Sequence, residues 1–125
     1  MSVVCKNDSD DCFKVFVKGS PEKISELCIP STLPLDFEEV LARYTTQGYR
    51  VIALAVKELP QFNFRSLQKA KREEVEFDLT FLGFLIMENK LKDETKGVVE
   101  TLDKCAVRTI MATGDNVLTA ISVAR

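Results

Sequence analysis

The stretch from Val107 to Asn116 constrains the fold of this chain more than any other. An apolar run (Val107, Ile110, Met111, Ala112) stops at Thr113-Gly114-Asp115-Asn116. A helical pattern follows, with Val117, Ala120, Ile121 and Ala124 at spacings of three and four. The pattern predicts a short buried strand, a turn and an amphipathic helix. α/β proteins use such a unit to present groups to a phosphate or a magnesium ion. Glycine lets the backbone come close, and the helix N-terminus offers unpaired N–H donors. Asp115 acting as a plain helix cap is the competing reading of the same residues.

Upstream the pattern is of another kind. Met1 to Cys5 and Phe13 to Val17 predict a hairpin across a polar turn at residues 6–11. Ser20-Pro21-Glu22 supplies an N-cap, a proline at the first helical position and an acid in the first turn. The short helix it opens carries Ile24, Leu27 and Cys28 on one face. Pro30 and Pro34 bracket a loop. Asp36 and Glu39 then start a helix with the stripe Phe37, Val40, Leu41 and Tyr44, ending at Gly48. Val51 to Val56 predicts a strand, residues 57–65 a loop around Pro60, Ser66 to Glu74 a charged helix, and Leu79 to Met87 a strand buried on both faces.

The polar segment Glu88 to Asp93 marks an internal boundary. Beyond it a helix (Thr95 to Cys105), a strand (Val107 to Ala112) and a helix from Asn116 alternate. Such alternation predicts a parallel, doubly wound arrangement, whereas the first part suits an antiparallel sheet with flanking helices. The expected class is therefore α/β, with an α+β antiparallel part at 1–88 and a second part at 89–125.

Composition narrows the chemistry. A length of 125 residues means one domain or pieces of two. The net charge of −2 gives no basic footprint, which argues against a nucleic-acid partner. With no histidine, His-based metal sites and Ser–His or Cys–His nucleophile pairs are excluded. The cysteines at 5, 12, 28 and 105 form no CxxC pair, which fits a reduced environment better than a disulfide framework or a zinc site. No N-terminal signal is visible. The apolar run from Leu79 to Met87 is far shorter than the roughly 20 residues of a spanning helix. The last helical pattern reaches Arg125 without a stop signal, which predicts a piece of something longer.

Two further segments are candidate sites. Lys18-Gly19-Ser20-Pro21-Glu22 puts a lysine at a strand end before a glycine and a capped helix, where it could hold a nucleotide phosphate or lie near a base. From those five residues alone an ordinary strand–turn–helix corner with a solvated lysine is the favoured reading. Arg50, after Gly48-Tyr49, could clamp a phosphate with its planar fork, or be a common surface arginine beside a strand.

Taken in order, these motifs resemble those of P-type ATPases. Lys18 to Glu22 is similar to the family's KGAPE-like signature, with Ser20 in the alanine position. Arg50-Val51-Ile52-Ala53-Leu54-Ala55 is similar to its arginine-headed strand, and Thr113 to Asn116 to the Thr-Gly-Asp-Asn turn of the phosphorylation domain. Asn89-Lys90-Leu91-Lys92 stands where the family usually has Asp-Pro-Pro-Arg, and it resembles the type-V branch, the 13A group above all. Characterised members of that branch export polyamines from late endosomes and lysosomes.

The resemblance implies a division at 1–88 (C-terminal part of a nucleotide-binding domain) and 89–125 (start of the second, haloacid-dehalogenase-like Rossmannoid segment of a phosphorylation domain). It implies that Lys18 and Gly19 line the adenosine pocket and that Arg50 contacts the phosphates. Thr113, Gly114 and Asp115 would face the transferred phosphoryl group. ATP and Mg2+ are the implied cofactors, and the remaining domains of the parent pump the implied partners. The segment would lie on the cytosolic face of an endosomal, lysosomal or other endomembrane, outside the membrane that holds the parent. There is no Asp-Lys-Thr-Gly-Thr segment among the 125 residues, so the chain alone is expected to be inactive. The alternative is a non-catalytic interaction or regulatory module, offering helix 36–47 and the charged 63–77 segment to partners.

Overall fold

Strict alternation builds the first half of the chain. In a computed structural model that describes residues 1–6, 11–88, 90–114 and 117–124, β1 (Ser2–Cys5) and β2 (Phe13–Gly19) form the expected hairpin, with Val3 opposite Phe16 and Val4 opposite Val15. Its turn lies largely outside the described residues. β3 (Arg50–Leu59) runs antiparallel to β2, setting Val17 against Ala55, Lys18 against Leu54 and Gly19 against Ala53. β4 (Thr80–Met87) completes a four-stranded antiparallel sheet in the order β1-β2-β3-β4.

Period two then decides what is buried. Val15, Val17, Ala53, Ala55 and Leu59 share one face of the sheet and form a single core with Ile24, Cys28, Val75 and Leu79. Each fully buried Val, Leu or Ile contributes about 1.5–3 kcal/mol relative to exposure. α1 (Pro21–Leu27) supplies Ile24. It begins as its sequence predicts, with Pro21 in the first turn and Ser20 Oγ accepting from Lys23 N–H at 3.4 Å. Its end is tied to the head of β4: Leu79 N–H donates to the Leu27 carbonyl (2.9 Å), and Ile29 N–H to the Leu79 carbonyl (2.8 Å).

α2 (Phe37–Thr46) buries Phe37 and Leu41 from the expected stripe. Phe37 packs against Phe81 and Phe84, with ring centroids 5.3 and 4.9 Å away. The helix ends before Gly48, which takes a φ of +86° that favours glycine.

Several expectations are corrected. β3 continues through Leu59, three residues past Val56. The single helix expected from Ser66 to Glu74 is two, α3 (Phe64–Leu67) and α4 (Arg72–Val75). Local caps explain the break. Asn63 Oδ1 accepts from Ser66 N–H (3.0 Å) while Ser66 Oγ accepts from Asn63 N–H (2.9 Å), which starts the helix early. Glu74 Oε2 then accepts from Lys71 N–H at 2.6 Å and starts a second one. β4 is not buried on both faces: Leu82 and Leu85 are exposed, because their side chains find no cover among the described residues.

The chain divides into two units, Met1–Leu41 with Val51–Leu85, and Ala42–Arg50 with Ile86–Arg125. In the second, α5 (Thr95–Lys104) and α6 (Val117–Ala124) form where expected. The strand at Val107 to Ala112 does not. Residues 107–114 are irregular, and Ile110 and Met111 are exposed. A strand exists only against a neighbour that shares its ladder, and no described strand offers one here. The doubly wound arrangement is accordingly absent among the described residues. The α6 stripe is corrected too: Val117 and Ile121 are exposed, and among the described side chains of the helix Thr119 is the buried one. Among the described residues no helix is long and apolar enough to cross a membrane.

Candidate functional site

Because Val15 and Val17 face the core, Phe16 and Lys18 must face the other way. That outer sheet face is largely apolar. Phe16 stands between Val3 and Val56, and Leu54 lies opposite Lys18. A groove of about 270 Å³ opens there, lined by Met1, Val3, Phe16, Lys18, Leu54 and Leu82. The Lys18 main chain is fixed on both sides, its N–H donating to the Met1 carbonyl and its carbonyl accepting from the Met1 amine, each at 2.9 Å. Its side chain is exposed, and among the described residues its ammonium has no carboxylate partner.

A second, larger cleft of about 580 Å³ shares Lys18 and is lined further by Gly19, Ser20, Lys23, Arg72 and Glu76. Glu73 lines it as well, and apart from Lys18 and Glu73 its charged side chains are already paired. Arg72 Nε donates to both Glu76 oxygens at 2.7 Å, and Lys23 Nζ reaches Glu26 at 2.8 Å. Burial pushes the Glu76 carboxyl up, but hydrogen bonds with Ser2 and Arg72, together with the positive charges of Arg72 and the amino terminus, outweigh it. The carboxyl is held below its ordinary range. Chemistry, rather than size, therefore favours the outer groove. A flat heteroaromatic ring would find an apolar floor there and a cation with three donors at its end.

Gly19 is next to Lys18 but is not required by the fold. A Cβ placed on it would meet only the Ile24 side chain, at 3.4 and 3.5 Å. Arg50 heads β3 in the second unit, directly after Tyr49. Thr113 and Gly114 belong to the irregular, exposed segment of that unit, and a Cβ on Gly114 would meet nothing within 4 Å. Asp115 and Asn116, and the hinge residue Asn89, lie outside the described residues. Among the described residues no three Cys, Asp or Glu side chains gather where a metal ion could be held.

Two features escaped the sequence reading. Phe16 was legible only as a strand residue, although its alternation with Val15 and Val17 puts it beside Lys18. Thr119 donates its hydroxyl to the Tyr49 carbonyl at 2.9 Å, and no local signal announces a partner 70 residues away.

Comparison with known proteins agrees with the family resemblance. The family described as P-type ATPase, cytoplasmic domain N, matches residues 1–94. The chain is 58% identical over 125 residues to the vacuolar cation-transporting ATPase YPK9 of Saccharomyces cerevisiae, covering all of this chain and 8% of that protein. It is 48% identical over 126 residues to the polyamine-transporting ATPase 13A3 of Mus musculus and 48% identical over 125 residues to the probable cation-transporting ATPase 13A5 of Homo sapiens. Each match covers all of this chain and 10% of the relative. The chain thus spans about a tenth of the length of these curated relatives. The family match over residues 1–94 and identities of 48–58% along its whole length place the chain in the P-type ATPase family.

Proposed function

We propose that this chain is the nucleotide-binding part of a cation- or polyamine-transporting P-type ATPase, seated on the cytosolic face of an endomembrane. In this reading residues 1–88 belong to the nucleotide-binding domain and residues 89–125 open the second segment of the phosphorylation domain. The observation that carries it is the outer groove, with Phe16, Val3 and Leu54 as its floor and, at its end, the Lys18 ammonium, which has no carboxylate partner among the described residues. Lys18 meets the adenine ring and Gly19 lines the adenosine beside it. Arg50, with its planar fork, takes the phosphates. Thr113, Gly114 and Asp115 face the phosphoryl group that is passed on, and catalysis is then positioning and charge neutralisation. ATP supplies that phosphoryl group, and magnesium enters bound to its phosphates.

An NMR titration of the 125-residue chain tests the reading. Adenosine and ATP should both move the Lys18 and Gly19 amides, and only ATP should move Arg50. If millimolar ATP leaves Lys18 and Gly19 unmoved, the reading is wrong and an interaction module indifferent to nucleotide replaces it. With radiolabelled ATP the chain by itself should form no phosphoenzyme, and labelled protein would overturn that.

A further inference from the structure

Among the described side chains of α6, the most deeply buried is polar. Thr119 is 1% exposed, while Val117 and Ile121 of the same apolar helix are 71% and 45% exposed. A hydroxyl leaves water only where a partner replaces it. That partner is the Tyr49 carbonyl, 2.9 Å away and within the same unit. Tyr49 is held from other directions as well. Its N–H donates to the Tyr44 carbonyl at 3.1 Å, its ring meets Tyr44 edge-on at 6.0 Å, and Gly48 before it is fixed at φ +86°. The next residue is Arg50, and α6 is the helix that follows Thr113-Gly114-Asp115.

We infer that Thr119 is a positioning residue that ties Arg50 to the helix after Thr113-Gly114-Asp115 in the chain, so that phosphate occupancy at Arg50 is felt by α6. The inference rests on the reading of Arg50 and those three residues as the phosphate-facing groups of this chain. It goes further by giving one hydroxyl the task of linking them. Any pull on the Arg50 backbone moves the Tyr49 carbonyl, and the Thr119 hydroxyl carries that movement into the helix.

The test uses the 125-residue chain, Thr119→Val, which removes the hydroxyl at nearly constant shape, and Thr119→Ser, which restores it. ATP added to the parent chain should shift the amides of residues 117–120 together with Arg50. Thr119→Val should lose the shifts at 117–120 while keeping those at Lys18 and Gly19, and Thr119→Ser should recover them. Without ligand, Thr119→Val should also move the Tyr49 carbonyl carbon upfield, as a carbonyl that has lost a donor does, with the Val15 and Val17 signals unmoved. If Arg50 responds and α6 does not, or if Thr119→Val keeps the α6 response, the inference is overturned. If ATP moves neither Lys18 nor Arg50, the nucleotide reading fails separately, and a Tyr49 carbonyl unchanged in Thr119→Val then overturns the tie itself.

Discussion

Phe81 and Phe84 pack ring against ring, their centroids 5.3 Å apart, although they stand three apart on one strand. A regular strand would send them to opposite faces. Gly83 between them has a φ of +149°, outside the range L side chains readily adopt, and it breaks the alternation so that both rings reach Phe37. Gly83→Ala has open space for its methyl but not the backbone. It should cost about 1–3 kcal/mol, read as a lower urea midpoint and a weaker near-UV circular dichroism signal from the three rings.

Phe16 and Gly19 separate binding from folding. Phe16→Ala removes part of an exposed floor and Gly19→Ala adds a methyl in ordinary contact with Ile24. Both should hold their urea midpoints close to the parent's. Phe16→Ala should weaken adenosine binding roughly 3- to 10-fold, the worth of one ring contact. An unchanged dissociation constant in calorimetry would move the base away from this groove.

Acid should loosen the α4 corner. The Glu76 carboxyl is held below its ordinary value of 4.5, so its ionised form is favoured by the fold. A depressed carboxyl contributes stability that is present above its unfolded value and lost as pH falls through the folded one. Denaturant midpoints should therefore drop as pH is lowered below about 4.5. Arg72→Ala removes the guanidinium that holds the charge, so it should raise the Glu76 titration in carboxyl carbon NMR and flatten the acid loss.

Thiol labelling should report unfolding at one position. Cys28 is buried and burial pushes its thiol up, whereas Cys5 and Cys105 are exposed. Ellman's reagent should label Cys5 and Cys105 quickly in the native chain. Cys28 should react only at the rate of opening, and faster once Leu79→Ala has taken away its cross-bridge neighbour, a change that costs about 2–5 kcal/mol.

The parts of the fold that were legible in the sequence follow from local rules. The hairpin, α1 with its Ser20 cap, α2 and α5 need only alternation, a cap or a helical stripe, and each residue carries its own signal. The Asn63–Ser66 cap stands ahead of the charged stretch that suggests one helix, and it starts a short helix of its own, so two form where one is expected. The Val107–Ala112 strand failed for a different reason. Being a strand is a property of the neighbour as much as of the residues, and an apolar run does not say whether a ladder waits for it. The site divides in the same way. Lys18 stands at a strand end that the sequence marks, but its floor comes from residues on β1, β3 and β4 that only the sheet assembles.

The seven residues of β2 have a consequence for how such a domain can change over time. Their odd positions, Val15 and Val17, are read by the core, and their even positions, Phe16 and Lys18, by whatever enters the groove. Two messages are interleaved on one strand, letter by letter. A substitution at Phe16 or Lys18 leaves the core side chains in place, so affinity for a ligand can drift without loss of tolerance to heat. An insertion or deletion of one residue scrambles both at once.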